Sequence, residues 1–155
     1  YHQMAALQEL LYKIERHIPH SEIKNTAVSE GSVGWHIAHS LLTIRVVVDA
    51  LAQSNPKAYK WRFNWKRSFL FAVQKIPKGK IKAPKAVRPT NDLNPQSLMQ
   101  QWQLTMEKID SLKQLSPGHF FQHPFLGLIK LKPAQKFLVI HTRHHLNIIE
   151  AILQP

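Results

Sequence analysis

One segment of the chain, residues 33–53, is apolar on most of its circumference when it is drawn as a helix. The apolar positions leave no wide polar face; they are Trp35, Ile37, Ala38, Leu41, Leu42, Ile44, Val46, Val47 and Val48. A helix of this kind is usually central in a helical fold, because several of its sides need cover. Ser32 is a suitable N-cap, and Asn55-Pro56 ends the helix. The rest of the chain must supply the covering elements.

Three further segments have the periodicity of long amphipathic helices. The first covers residues 2–18 and ends at Pro19; the second starts at Asn94-Pro95 and runs to Leu115; the last starts at Lys132-Pro133. Strand-like alternation is weak throughout, and residues 119–131 read as an irregular loop. The sequence therefore predicts an all-α fold, a four-helix bundle that forms a single domain over residues 1–155.

The region between the second and third long helices is strongly basic. Residues 51–90 contain eleven Lys or Arg and no Asp or Glu, within a chain of formal net charge +12. A short extra helix is predicted over residues 63–75, and the proline-rich residues 76–89 are predicted to form an extended basic crossover, since proline interrupts helices. The segment 57–88 is either a solvated flap or a surface for nucleic acid or another anionic partner.

Aromatic residues alternate with polar ones at the start of this basic segment. Tyr59, Trp61, Phe63 and Trp65 occupy every second position, with Lys60 and Arg62 among the residues between them. Aromatic side chains beside cations suit stacking on single-stranded nucleic acid. The same alternation also suits a flap anchored to the bundle by its aromatic rings, and we do not expect nucleic acid to be the main partner.

Composition excludes several classes of site. The chain has no cysteine, which excludes disulfides, cysteine-ligated zinc and a protein thiolate nucleophile, and fits a cytoplasmic location. The Gly-rich phosphate loop and the His-Glu-x-x-His motif are absent. The longest apolar runs are interrupted before about 20 residues, and Tyr-His-Gln-Met does not begin a signal peptide, so no membrane partner is expected.

Histidines are concentrated in two short stretches, Gly34-Trp-His-Ile-Ala-His-Ser40 and Ile140-His-Thr-Arg-His-His-Leu146. On a helix, His141 and His145 are one turn apart on one face, close enough to bind one cation. A third imidazole from the other stretch would complete a three-histidine site for a divalent metal such as Zn, Ni or Fe. Three protein ligands leave coordination positions for water and substrate, which makes such a site suitable for catalysis.

The ligand set has alternatives at two points. His36 and His39 are three residues apart, so either one can face inward; His39 is favoured because it lies next to the apolar pair Leu41-Leu42. His144 is also within reach of His141, but the apolar stripe that contains Phe137, Ile148 and Ile152 favours His145. His144 is then a flanking catalytic candidate, as a group that orients a ligand or carries a proton.

These two stretches, Ser32-Val-Gly-Trp-His-Ile-Ala-His39 and Ile140-His-Thr-Arg-His-His-Leu-Asn-Ile-Ile149, resemble the DinB/YfiT-like superfamily. Together with His123-Pro-Phe-Leu-Gly127 they are similar to an uncharacterised bacterial branch of it. The resemblance covers most of the chain and implies a four-helix bundle with a divalent metal held by His39, His141 and His145. Family activities include thiol-dependent S-transferases, a hydrolase-like group and iron-dependent sulfoxide synthases. The basic segment is not part of that signature.

The function predicted from these residues is a metal-dependent hydrolase or thiol S-transferase acting on a small molecule. The metal would lower the pKa of water or of a low-molecular-weight thiol, which must be a co-substrate because the chain has no cysteine. Trp35, Phe125 and Trp102 are candidates for the pocket lining, although core packing is the more common role for each of them. A non-catalytic binding module that uses residues 57–88 is the alternative, and a homodimer is compatible with the amount of apolar helix surface.

Overall fold

The computed structural model describes residues 2–77, 82–90 and 92–155. That part of the chain is mostly helical and contains one small antiparallel sheet. The helices are α1 (His2–Glu15), α2 (Val33–Gln53), α3 (Trp65–Val73), α4 (Pro95–Asp110) and α5 (Leu131–Leu153). The strands are β1 (Phe120–His123) and β2 (Gly127–Lys130).

Helix α2 lies between α4 and α5, and α1 packs against α5 and α4. These four helices share one hydrophobic core, whose fully buried members include Leu7, Leu11, Ile37, Leu41 and Leu138. By length and mean hydropathy α2 passes for a helix that could cross a membrane, but most of it is buried inside the protein. Its apolar circumference is thus explained by helix packing on several sides.

Side-chain caps fix the starts of three helices, and the sequence predicts the one at Ser32. Ser32 accepts a hydrogen bond from the backbone N–H of Trp35 at 3.1 Å, and Asn94 accepts one from that of Ser97 at 2.8 Å. Such caps each stabilise a helix by about 1 kcal/mol. The cap at Ser32 matters for the site because it sets where α2 begins, and the first two turns of α2 carry His36 and His39.

The prediction of an irregular loop over residues 119–131 is wrong, and the mostly helical fold contains two short strands that the sequence did not predict. Strands β1 and β2 form an antiparallel hairpin in which Phe121 pairs with Ile129 and His123 with Gly127. Phe121 and Ile129 are buried against α2 and α5, so the hairpin belongs to the core. Gly127 has φ +71°, a conformation that strongly favours glycine, and it begins β2.

Several helix boundaries also differ from the prediction. Helix α1 ends at Glu15 and is followed by a short 3-10 turn at Ile18–His20, so Pro19 lies within that turn. Helix α4 ends at Asp110, where a 3-10 turn at Ser111–Gln114 replaces the predicted last turn. Helix α3 is shorter than predicted at both ends, and α5 begins at Leu131.

The basic crossover is described only in part, because residues 78–81 and 91 of the region lie outside the described residues. Its second half contains a 3-10 turn, Lys85–Val87, that contacts α2. The predicted crossover thus reaches the helix that carries His36 and His39.

Candidate metal centre

Three histidines converge between α2 and α5. One ring nitrogen each from His39, His141 and His145 lies within 4.8 Å of the other two. The ring centroids are 4.6 Å apart for His39 and His145, 4.6 Å for His141 and His145, and 5.1 Å for His39 and His141. The structure therefore brings together the three residues that the sequence singled out.

The geometry follows from helix periodicity and from the packing of α2 against α5. His141 and His145 are four residues apart on α5, so they lie one above the other on one face. His39 is in the second turn of α2, the helix that packs against that face. Two rigid helices hold all three side chains, an arrangement that gives more precise positions than a loop would.

The ring of His39 is fixed by two neighbours. Its Nδ1 atom lies 2.7 Å from the backbone oxygen of Val87. A carbonyl only accepts, so Nδ1 carries the proton in the neutral ring and Nε2 keeps its lone pair for a ligand. Trp35 stacks on the same ring, with centroids 5.0 Å apart and planes 13° apart. His39 is thus held in the tautomer that a metal needs.

The ring of His145 is held by the other histidine of α2. His145 Nδ1 lies 2.9 Å from His36 Nδ1, and His36 Nε2 lies 2.8 Å from the Ser29 hydroxyl. Two arrangements of protons satisfy the series of hydrogen bonds from His145 through His36 to Ser29. In one of them His145 donates to His36 and His36 donates to Ser29, which leaves His145 Nε2 unprotonated. Only that arrangement lets His145 bind a cation, so metal binding would select it.

His141 is less constrained than the other two. Its Nδ1 atom is buried and has no hydrogen-bond partner among the described residues. Phe137 lies one turn before it, with ring centroids 5.7 Å apart. A buried polar atom without a partner is costly in a native fold and often marks a place where a ligand or ion belongs. This orphaned nitrogen is an independent indication that the cluster is incomplete without a bound species.

Burial keeps the cluster uncharged at neutral pH. It lowers the pKa of His39, an effect that the Val87 carbonyl partly opposes, and it lowers the pKa of His36 to about 4. The pKa values of His141 and His145 are well below their usual range, first through burial and then through the neighbouring imidazoles. Neutral imidazole is the form that binds metals, so no proton has to leave before a cation enters.

Of the other residues that the sequence singled out, some lie beside the cluster and others lie away from it. His36 is buried beside the cluster, so both histidines of α2 face inward. The ring of His144 lies 5.0 Å from that of His145, next to the site. Trp35 lies against His39, but Trp102 donates to the backbone oxygen of Leu11 between α1 and α4, and Phe125 is exposed at the hairpin turn. Core packing and a surface position therefore explain Trp102 and Phe125.

Sequence reasoning missed Val87 and Ser29 as site residues. Ser29 precedes the N-cap of α2, and its polar loop gave no sign that it contacts His36. Val87 acts through its backbone oxygen, so its side-chain type carries no signal at all. Both contacts depend on how loops fold back on α2.

The donor set fits a divalent cation. Three neutral imidazoles on two helices match the ligands of three-histidine catalytic sites for Zn and of related Ni or Fe sites. Glu150, the only acidic residue near the histidine motif in sequence, is exposed, so the cluster is a nitrogen site rather than a mixed carboxylate site. Comparisons with family models, curated proteins and solved structures return no match. The resemblance to the DinB/YfiT-like superfamily stays a prediction.

Proposed function

We propose that this chain is a metal-dependent enzyme that binds a divalent cation through His39, His141 and His145. The observation that carries the proposal is the convergence of three neutral imidazoles from two separate stretches of sequence on one point between α2 and α5. The Nδ1 of His141, which has no hydrogen-bond partner in the described part of the chain, supports the proposal, because buried polar atoms in a native fold usually have partners.

When bound there, a Zn, Ni or Fe ion would lower the pKa of water or of a low-molecular-weight thiol toward neutrality. We propose a hydrolase or a thiol S-transferase on that basis, with a small electrophilic molecule as substrate. Any thiol is a co-substrate, since the chain contains no cysteine. The exposed lysines and arginines of the basic segment are suited to attract carboxylates of such a co-substrate.

The residues around the three ligands have positioning roles in this proposal. The Val87 oxygen accepts a hydrogen bond from His39 Nδ1 and so keeps the proton there. His36, which in turn contacts Ser29, accepts a hydrogen bond from His145 Nδ1. Orienting partners of this kind usually change metal affinity by 10- to 100-fold when removed. His144, beside His145, is the proposed catalytic residue, and it carries protons to and from the substrate.

The architecture and location are part of the same proposal. We propose that α1, α2, α4 and α5 form a four-helix bundle of the DinB/YfiT type, with the hairpin and α3 added to it. Family members hold their metal with one histidine from the second helix and a His-x-x-x-His pair from the last, which is the placement of His39, His141 and His145 here. A cytoplasmic location is expected from the absence of cysteine.

The test is metal analysis of the protein purified without an affinity tag, followed by titration of the metal-free protein with Zn²⁺, Ni²⁺ and Fe²⁺. We expect one equivalent of metal in the wild type and a loss of at least about 100-fold in affinity in H141A and H145A, because each removes a ligand. H39A should behave in the same way.

H20A is the matched control, because His20 is exposed in the 3-10 turn after α1 and is not part of the cluster. It should bind metal like the wild type. Full occupancy with unchanged affinity in both H141A and H145A would refute the site. A screen for thiol transfer and hydrolysis follows once metal is bound, with H144A compared with the wild type at equal metal content.

A further inference from the structure

A patch of large apolar side chains is exposed on the side of the molecule formed by residues 61–73 and the hairpin turn. We call it the aromatic patch; its exposed fractions range from 44% to 71%, and its members are Trp61, Phe63, Trp65, Phe69, Val73 and Phe125. Side chains exposed to this extent do not anchor a flap to the core. In the alternating stretch only Tyr59 does so, by packing on Phe120. The anchoring explanation therefore fails for Trp61, Phe63 and Trp65.

Helix α3 presents half of this patch as one stripe. Trp65, Phe69 and Val73 follow each other at intervals of four residues, so they lie on one side of the helix. The opposite side is held to the protein by buried Leu70 and by Arg67, which donates to the backbone oxygens of Arg62, Leu126 and Leu128. The stripe is thus fixed in position and faces away from the core.

The patch is continuous with the hairpin turn. Asn64 donates to the backbone oxygen of Phe125, which places the turn beside the start of α3. The Lys66 ammonium lies 5.9 Å from the ring centroid of Trp65 and 6.0 Å from that of Phe125. A cation therefore lies between two exposed rings, where the Lys66 stem can cover apolar surface while its charge stays in water.

The charge around the patch limits what can cover it. Lys60, Arg62 and Lys66 are exposed, and no acidic residue occurs between positions 51 and 90. A second copy of this surface would bring like charges together, which disfavours pairing through the patch. The partner must offer both negative charge and an apolar layer into which Trp, Phe and Val side chains can enter.

We propose that the aromatic patch docks on an anionic phospholipid surface, with the stripe of α3 at the level of the headgroups and the surrounding lysines and arginines near the lipid phosphates. Amphipathic helices with aromatic residues on one side and basic residues around them bind membranes in this way. The docking needs no membrane-spanning segment, so it replaces the expectation that no membrane partner exists. It is independent of the metal site.

Single-stranded nucleic acid fits the same surface less well. Stacking requires flat rings with cations beside them, whereas Val73 at the end of the stripe offers nothing to a base. Arg67 is occupied by three backbone oxygens, so it is not available to a phosphate.

The test is co-sedimentation of the full chain with vesicles of phosphatidylcholine alone and with vesicles in which part of it is replaced by phosphatidylglycerol. We expect binding only to the anionic vesicles, weakened by salt, with a blue shift of tryptophan fluorescence. The W65S/F69S variant should lose about tenfold or more in affinity. Its matched control is L104S, because Leu104 is equally exposed but lies on α4 outside the patch.

Charge is tested with K60Q/K66Q, which should also lose about tenfold, against R16Q/K24Q, which removes two exposed cations elsewhere. Circular dichroism identifies any variant that fails to fold. No binding to anionic vesicles overturns the proposal, as does equal weakening by each variant and its control. Binding of a single-stranded oligonucleotide without vesicle binding assigns the patch to nucleic acid, and a dimer that W65S/F69S dissociates assigns it to a second copy; both overturn it.

Discussion

The Nδ1 atoms of His36 and His145 lie 2.9 Å apart, although the two residues are 109 positions apart in the chain. One ring must donate and the other accept, so the protonation of His36 determines which nitrogen of His145 is open to a ligand. His36 thus affects whether His145 can bind a ligand, although it is not one of the three candidate ligands His39, His141 and His145.

Replacing His36 should therefore weaken metal binding without removing it. We expect H36F to lower the affinity for Zn²⁺ by about 10- to 100-fold, because His145 loses the acceptor that orients it. H36Q can still accept a hydrogen bond and should lose less. Calorimetric titration of the two metal-free variants distinguishes them, and an affinity for H36F equal to that of the wild type would show that His36 only fills space.

His123 should stabilise the hairpin turn through its ring. Its Nδ1 atom accepts hydrogen bonds from the backbone N–H groups of Phe125 and Leu126, at 3.1 and 3.2 Å. H123F leaves both donors without this acceptor, and we expect a loss of about 1–2 kcal/mol in the free energy of unfolding. Urea denaturation measures it, with H20A as the exposed control; equal stability of H123F and the wild type would contradict the role.

Acid should destabilise the metal-free protein through the same residue. Burial lowers the pKa of His123 to about 4, whereas an unfolded histidine titrates near 6.5. Between pH 4 and pH 6.5, His123 binds a proton in the unfolded chain but stays neutral in the folded protein. The free energy of unfolding is therefore highest above pH 6.5 and falls as the pH drops toward 4. After allowance for partial exposure the loss is roughly 1–3 kcal/mol.

The pKa values of His141 and His145 in the candidate metal centre are lowered in the same direction, so these two residues add to the loss of stability. Urea midpoints at pH 7.5, 6, 5 and 4 measure the total. The H123F variant should show a shallower decline than the wild type, since one of the groups that bind protons on unfolding is gone. A stability that stays flat from pH 7.5 to pH 4 would contradict the burial of these rings as neutral groups.

Gly34 should not tolerate alanine, although alanine is the better helix former by about 1 kcal/mol. A Cβ atom there would lie 3.0 Å from the backbone oxygen of Ser21 and 3.2 Å from that of Leu93, and neither oxygen belongs to a flexible side chain. We expect G34A to lose about 1–3 kcal/mol of stability and to displace the first turn of α2. Thermal unfolding measures the loss of stability, and metal affinity measures the displacement of α2. A G34A variant more stable than the wild type would contradict the close contact.

The long helices could be predicted because their periodicity is strong, whereas the hairpin could not. Each strand has four residues, too few for an alternation to stand out, and its burial pattern depends on where α2 and α5 lie. The shortened ends of α1 and α4 are local adjustments to 3-10 turns, which carry no distinct sequence signal.

The candidate site was predictable to the level of its three central histidines. His141 and His145 are placed by helical spacing alone, and His39 by its position on the most apolar helix. The sequence posed His36 and His39 as alternatives, yet the structure buries both, because the first turns of α2 are enclosed by the Ser29 loop as well as by α5. Tertiary contacts decide that both histidines are buried, and residue spacing gives no information about those contacts.

The hydrogen bond from His39 to Val87 makes a backbone oxygen, 48 residues away in the chain, responsible for the chemical form of a site histidine. Any insertion, deletion or bound partner that displaces the 3-10 turn of Val87 would break this hydrogen bond, and the proton of the His39 ring could then move from Nδ1 to Nε2. The loop between α3 and α4 therefore affects the candidate metal centre, and a deletion far outside that centre can change the tautomer of His39 while every imidazole is still in place.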